Sequence, residues 1–139
     1  MDLVPGIYHY APLEHQLHRL PVRKPHVDAL LNDARVAAAL PVEPQILITL
    51  ASRFQRLSWK YSGLAYALSL KNAGVLMQTM YLVATAMGLA PCALGTGNSD
   101  LFETATGTGC LLEPPVGEFL LGSKRPTVLG DRDGVPCDA

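Results

Sequence analysis

An α+β fold around a mixed or antiparallel sheet is what this sequence predicts, on three observations. Residues 7–10 and 16–20 alternate apolar and polar side chains about a short proline-containing loop, the pattern of a hairpin. Residues 45–50 (QILITL) form an apolar, β-branched run bounded by Pro44, the pattern of a buried strand. Residues 64–89 are almost wholly apolar at helical spacing, which gives one long buried helix.

The other elements follow in order. From Pro25 a helix is expected, with Val27, Leu30, Leu31, Ala34 and Ala38 on one face. Pro25 suits an early helical position and Pro41 stops the run. Residues 52–62 read as an amphipathic, irregular connector, and the long helix begins at Gly63 or Leu64. Within it Leu76, Met80, Val83 and Met87 form one stripe, and Ala73, Met77, Tyr81 and Ala84 a second. Most of its circumference is therefore expected to be covered, up to its end at Gly88. Residues 92–94 read as a short strand and 95–100 as a turn. Residues 100–106 then form a short helix capped by Ser99, and 116–121 a last strand. Residues 126–139 are polar and rich in Gly and Asp, and are expected to form a flexible tail.

Composition bounds the function. A chain of 139 residues is one domain, burying roughly two-thirds of its unfolded surface. Eleven basic and 12 acidic residues give a net charge of −1 with no basic stripe, which argues against nucleic acid as a partner. Cys92, Cys110 and Cys137 are odd in number and form no CxxC, which argues against a disulfide framework and against a zinc site. Reduced thiols in a cytoplasm are the expectation, since no basic region followed by an apolar run opens the chain. Lys71, Asn72, Gln78 and Thr79 would be costly in hydrocarbon, so the long apolar helix is read as core or interface and not as a membrane span. An apolar fraction of 49% against 17% charged residues predicts that another subunit covers part of the surface.

Three groups of residues could carry chemistry. Gly95, Thr96 and Gly97 follow a short strand, where bare backbone N–H groups can approach a ligand; an ordinary strand-to-helix turn fits equally. Lys60 beside Tyr61 could serve as an acid/base pair, or be a solvated lysine at the start of a helix with an interfacial tyrosine. Lys124 and Arg125, after Gly122 and Ser123, could meet a phosphate or form a surface charge patch. GxSxG, Walker A and a helix-opening GxGxxG are absent. His15 and His18 point to opposite faces of a hairpin and do not make a metal site.

Taken in order, these pieces resemble the SagB-type dehydrogenases, a branch of the nitroreductase superfamily. The family's Pro-Gly-x-Tyr-x-Tyr hairpin is matched by Pro5-Gly6-Ile7-Tyr8-His9-Tyr10, and its return by His15-Gln16-Leu17-His18-Arg19-Leu20. Lys60-Tyr61-Ser62-Gly63 with Tyr66 resembles the Lys-Tyr-Gly stretch. Ala73-Gly74, Gln78 and Tyr81-Leu82 continue along the central helix. Gly88-Leu89 and Cys92-Ala93-Leu94-Gly95 lead into the flavin loop. The resemblance covers the chain as far as Arg125, so residues 1–125 are expected to form a nitroreductase-like domain, the C-terminal portion of the family fold.

The resemblance implies an FMN-dependent oxidoreductase that oxidises azoline rings in a peptide, with flavin held at a dimer interface. It implies that Gly95, Thr96 and Gly97 face the isoalloxazine ring, that Lys60 and Tyr61 are the catalytic acid/base pair, and that Lys124 or Arg125 meets the phosphate. Family members carry an Arg- and Ser-containing phosphate segment and a Pro-Ser-Ala-Gly loop ahead of the hairpin, whereas this sequence opens on the hairpin. Asn72-Ala73-Gly74-Val75 stands where the family has Glu-Ala-Gly-His, and Leu64-Ala65 where it has a basic residue. Missing phosphate ligands would weaken FMN by several kcal/mol. The expectation is therefore a homodimer, or a heteromer with a chain supplying that segment and acting on a peptide or small molecule. The alternative is a degenerate, non-catalytic homologue acting as a structural subunit.

Overall fold

The computed structural model describes residues 3–95, 97–109 and 111–124. The expected hairpin forms first: Tyr8–Ala11 (β1) pairs antiparallel with Gln16–Arg19 (β2), with Tyr8 opposite Arg19 and His9 opposite His18. His15, at φ 52°, turns the chain, and its Nδ1 lies 2.8 Å from the Tyr10 hydroxyl. Lys24–Ala37 (α1) follows with Pro25 in its first turn, burying Leu30 and Ala34 as their spacing requires.

Ile46–Ala51 (β3), Leu89–Leu94 (β4) and Pro115–Ser123 (β5) make a three-stranded sheet in the order β3-β5-β4, each neighbouring pair antiparallel. Between β3 and β4 the chain runs through Gln55–Tyr61 (α2), a 3-10 turn at Ser62–Leu64 and the long helix Ala65–Ala86 (α3). Ser99–Thr106 (α4) links β4 to β5. The α+β class and the antiparallel sheet are thus as expected.

Alternation along β5, the central strand, builds two faces. Leu120 and Glu118 point to the side of α1, where Ala34, Leu94 and Leu120 form the buried cluster with Ala38, Leu40 and Leu47 against it. Phe119 and Gly117 point to the side of α3. Phe119 is fully buried, and its ring meets Tyr81 edge-on at 5.0 Å between centroids. The Met77 thioether lies where a side chain at Gly117 would stand, so that glycine is what lets α3 settle on the sheet. The Ala93 N–H donates to the Tyr81 hydroxyl at 2.7 Å, tying β4 to α3. Tyr81→Phe keeps the ring contact but strands this amide. We expect a loss of about 1–2 kcal/mol in urea unfolding and faster hydrogen exchange at Ala93.

Several boundaries differ from the sequence reading. Residues 52–62 are not irregular, since α2 occupies Gln55–Tyr61 where no Gly or Pro opposes a helix. The long helix begins at Ala65, one or two residues late, because Ser62–Leu64 tightens into a 3-10 turn with Ser62 at φ 40°. It ends as expected, with Gly88 at φ 72° in the left-handed region and its N–H on Thr85 O at 3.0 Å. Asn98, not Ser99, caps α4, its Oδ1 accepting from the Leu101 N–H at 3.0 Å. The outer strands extend further than the sequence indicated, β4 from Leu89 and β5 from Pro115 to Ser123. β3 is an edge strand with half-exposed side chains, not a buried one, because among the described residues it pairs on one side only.

The largest correction concerns α3. Its stripe of Ala73, Met77, Tyr81 and Ala84 faces the sheet, and Ala65, Ser69, Ala73 and Ala84 are its buried residues. The other stripe is open: Leu76 is 47% exposed, Val83 53% and Met87 67%. One sheet face can cover only about a third of a helix, and in this chain the rest of α3 is left to solvent. The expected tail, 126–139, lies outside the described residues.

Candidate functional site

β4 carries the chain out of the sheet at Leu94, directly opposite Glu118 of β5, and the glycine turn begins there. Gly95 is exposed, with no heavy atom within 4 Å of the position a Cβ would take. Its backbone is therefore open to a flat ligand. Gly97 is the reverse case: a Cβ there would stand 2.9 Å from the Glu118 carboxyl carbon and 3.0 Å from its Oε1. Only glycine lets the turn lie over that carboxyl group. Asn98 then starts α4. An open cleft of about 410 Å³ lies between Asp33, Val36 and Ala37 of α1 and residues 97–100.

Glu118 is the residue that sequence reading missed. It is 4% exposed and sits in one row with Thr49 of β3 and Leu94 of β4, on the α1 side of the sheet. Burial, and then the negative charge of Asp33, push its carboxyl above the ordinary value of 4.5. The available signal was a lone acid inside the apolar run of residues 116–121, where a sheet core ordinarily excludes charge.

A stability prediction follows from the sign of that shift. The folded state holds the proton more tightly than the unfolded chain does. This contribution is complete below the ordinary carboxylate value and is lost as pH rises through the raised folded value. Glu118→Gln removes the dependence. Denaturation at a series of pH values should therefore show the variant gaining on the parent chain as pH rises towards neutral.

The other sequence-identified residues are distributed as follows. Lys60 and Tyr61 end α2, the helix that leaves the same end of the sheet as the glycine turn. Both are exposed, and neither lines the cleft at Gly97. Lys60 Nζ stands 5.4 Å from the Tyr61 ring centroid, over its face, so the pair is joined as a cation and a ring. Lys124 follows β5 at the opposite end of the sheet, about 20 Å along the strand from Glu118 at ~3.3 Å per residue. One copy of the chain therefore has α2 begin, and the glycine turn lie, at one end of the sheet, with Lys124 at the other. Thr96 and Arg125 lie outside the described residues. Among the described residues no group of three or more His, Cys, Asp or Glu side chains is placed to hold a metal ion. No described helix is long and apolar enough to cross a membrane.

Comparison with known proteins adds two findings. The family model described as the nitroreductase family matches residues 9–109. Among solved structures, a chain of the E. coli microcin synthetase McbBCD complex with truncated pro-MccB17 bound superposes at a TM-score of 0.76 and 19% identity. The match covers 91% of the present chain and 48% of that one, so the present chain spans about half its length; at this identity the likeness is one of fold. No curated protein matches the chain.

Proposed function

Because the chain belongs to the nitroreductase family, we propose that it is a subunit of an FMN-dependent oxidoreductase of the SagB type, oxidising azoline rings of a peptide to azoles. Members of the family generally use flavin. The observation that carries the reading is the exposed backbone of Gly95 at the end of β4, with no described atom beyond its chain neighbours within 4 Å of where a Cβ would stand.

The residues fit the group in part. The glycine turn suits the flat ring, but Lys124 stands at the far end of the sheet, and among the described residues no cation lines the cleft beside Gly97. The phosphate contacts are therefore assigned to a second polypeptide, either a second copy presenting its Lys124 and Arg125 or a different chain. The exposed side of α3, with Val75, Leu82 and Met87 each more than 60% exposed, is the surface offered to it. A cytoplasmic assembly is proposed.

Flavin, when bound, would supply the acceptor for a hydride, which carries both electrons of the oxidation. An azoline becoming an azole loses that hydride and one proton, and Lys60 Nζ takes the proton. Tyr61 orients the amine. In the present arrangement Lys60 Nζ lies over the Tyr61 ring, so reaching a substrate requires the side chain to swing off that ring. The exposed backbone of Gly95 and the neighbouring Gly97 would offer N–H groups to the flavin, with Thr96 between them in sequence.

A cleft whose charged described residues are Asp33 and Asp100 favours a second reading, a non-catalytic partner subunit. Titrating the purified chain with FMN, with flavin fluorescence and size exclusion as readouts, separates the two. Stoichiometric flavin on a dimer is the expected result for the homodimer. Flavin retained only with a second chain carrying an Arg/Ser phosphate segment is the result for a heteromer. No flavin in either arrangement would sink the enzymatic reading and leave the structural one.

A further inference from the structure

We propose that Glu118 is a positioning residue for the glycine turn: in its neutral form the carboxyl group supports Gly97 from beneath, and on ionisation it displaces Gly97, and with it Gly95, from their present positions. The part concerning flavin rests on the function proposed above; the coupling of Glu118 to the turn does not.

The argument is geometric. Glu118 lies in the middle of the central strand and is 96% buried, with Leu120 as its neighbour on the same face. Its carboxyl group occupies the space a side chain at Gly97 would need, so the position of the turn and that of the carboxyl group are set together. Among the described residues it takes part in no hydrogen bond to a side chain and in no ion pair. Facing it are Thr49 from β3, Leu94 from β4 and Asp33 from α1, while Asp100 in the first turn of α4 lines the same cleft.

Each charged neighbour on that list is an acid. Ionising Glu118 adds a further negative charge beside a cleft already holding Asp33 and Asp100, with no cation among its described lining residues. An ionised carboxylate is repelled by Asp33 and by Asp100, and so shifts from the place its neutral form holds. That shift disturbs Gly97, because the carboxyl group fills the space a Cβ there would take. The raised proton affinity of Glu118 puts this event above the usual carboxylate range.

The test uses the full chain labelled with ¹⁵N-glycine and followed by NMR across about pH 4 to 9. In the parent chain the Gly95 and Gly97 amides should shift together, with a midpoint above 4.5. Glu118→Gln should abolish the titration. Asp33→Asn, which leaves Glu118 in place, should lower the midpoint. FMN affinity in the parent should weaken about tenfold across the same midpoint, the worth of roughly one lost hydrogen bond, and stay flat in Glu118→Gln. Glycine amides that ignore pH, or that titrate identically in the variant, would overturn the proposal. FMN bound with one pH profile in both proteins would also overturn it, while leaving the flavin reading standing. Coupled glycine shifts with no FMN binding, by the chain alone or with a second phosphate-binding chain, would uphold the coupling and refute the flavin reading.

Discussion

Phe119→Ala is expected to cost about 3–5 kcal/mol of folding stability. Phe119 is the one large side chain that is completely buried among the described residues, and it sits on the central strand between Ile48 and Ala93. Its ring packs edge-on to Tyr81 at 5.0 Å, a geometry worth about 0.5–1.5 kcal/mol beyond the area buried. Removing it opens a cavity where α3 meets β5, and the antiparallel strands on either side prevent collapse into it. A domain of this size has about 5–15 kcal/mol in hand, so the variant should be largely unfolded under mild stress. Urea unfolding by circular dichroism is the measurement, with the slope unchanged and the midpoint moved. Phe119→Leu, which keeps most of the volume, should lose less than about 1.5 kcal/mol. A loss near zero for the alanine variant would mean that this ring is not the centre of the core.

The second large effect concerns chemistry. In a reconstituted, flavin-loaded assembly, Lys60→Ala should lower azoline oxidation by about 10²–10⁴-fold while leaving flavin content unchanged. Lys60 is exposed at the end of α2 and holds no described structural contact other than the Tyr61 ring, so its removal should leave folding intact. Tyr61→Phe keeps the ring face and removes the hydroxyl. A loss of about tenfold or less would make the ring the useful part, whereas a loss matching that of Lys60→Ala would make the hydroxyl a proton carrier in its own right. The readout is the two-hydrogen mass loss of a model azoline peptide. Full activity in Lys60→Ala would remove this lysine from the mechanism.

Much of the architecture was legible because it rests on local rules. The hairpin at β1 and β2 follows from alternation about a loop, and α1 from apolar spacing after Pro25. The end of α3 follows from a glycine free to adopt the left-handed conformation at Gly88. The errors share a cause. Whether 52–62 would coil or wind depended on packing of α2 against α3, and which of Asn98 and Ser99 would cap depended on where β4 released the chain. Neither is written in nearest neighbours.

The site divides the same way. Gly95, Gly97, Lys60 and Lys124 could be picked out by residue type, but type says nothing of distance. Pairing of β4 with β5 sends Lys124 to one end of the sheet and the glycine turn to the other. Glu118 was invisible as a site residue because its neighbours come from other elements: Gly97 lies 21 positions before it and Asp33 85 before it. The sequence by itself determined the α+β class, the hairpin and the long apolar helix, since those depend on periodicity and composition, while the family showed itself as a resemblance of short motifs in a fixed order. The tertiary structure decided which face of that helix is covered and which acid lies beneath the glycine turn. Burial and electrostatics are set by what strand pairing brings together, and that is a property of the folded chain.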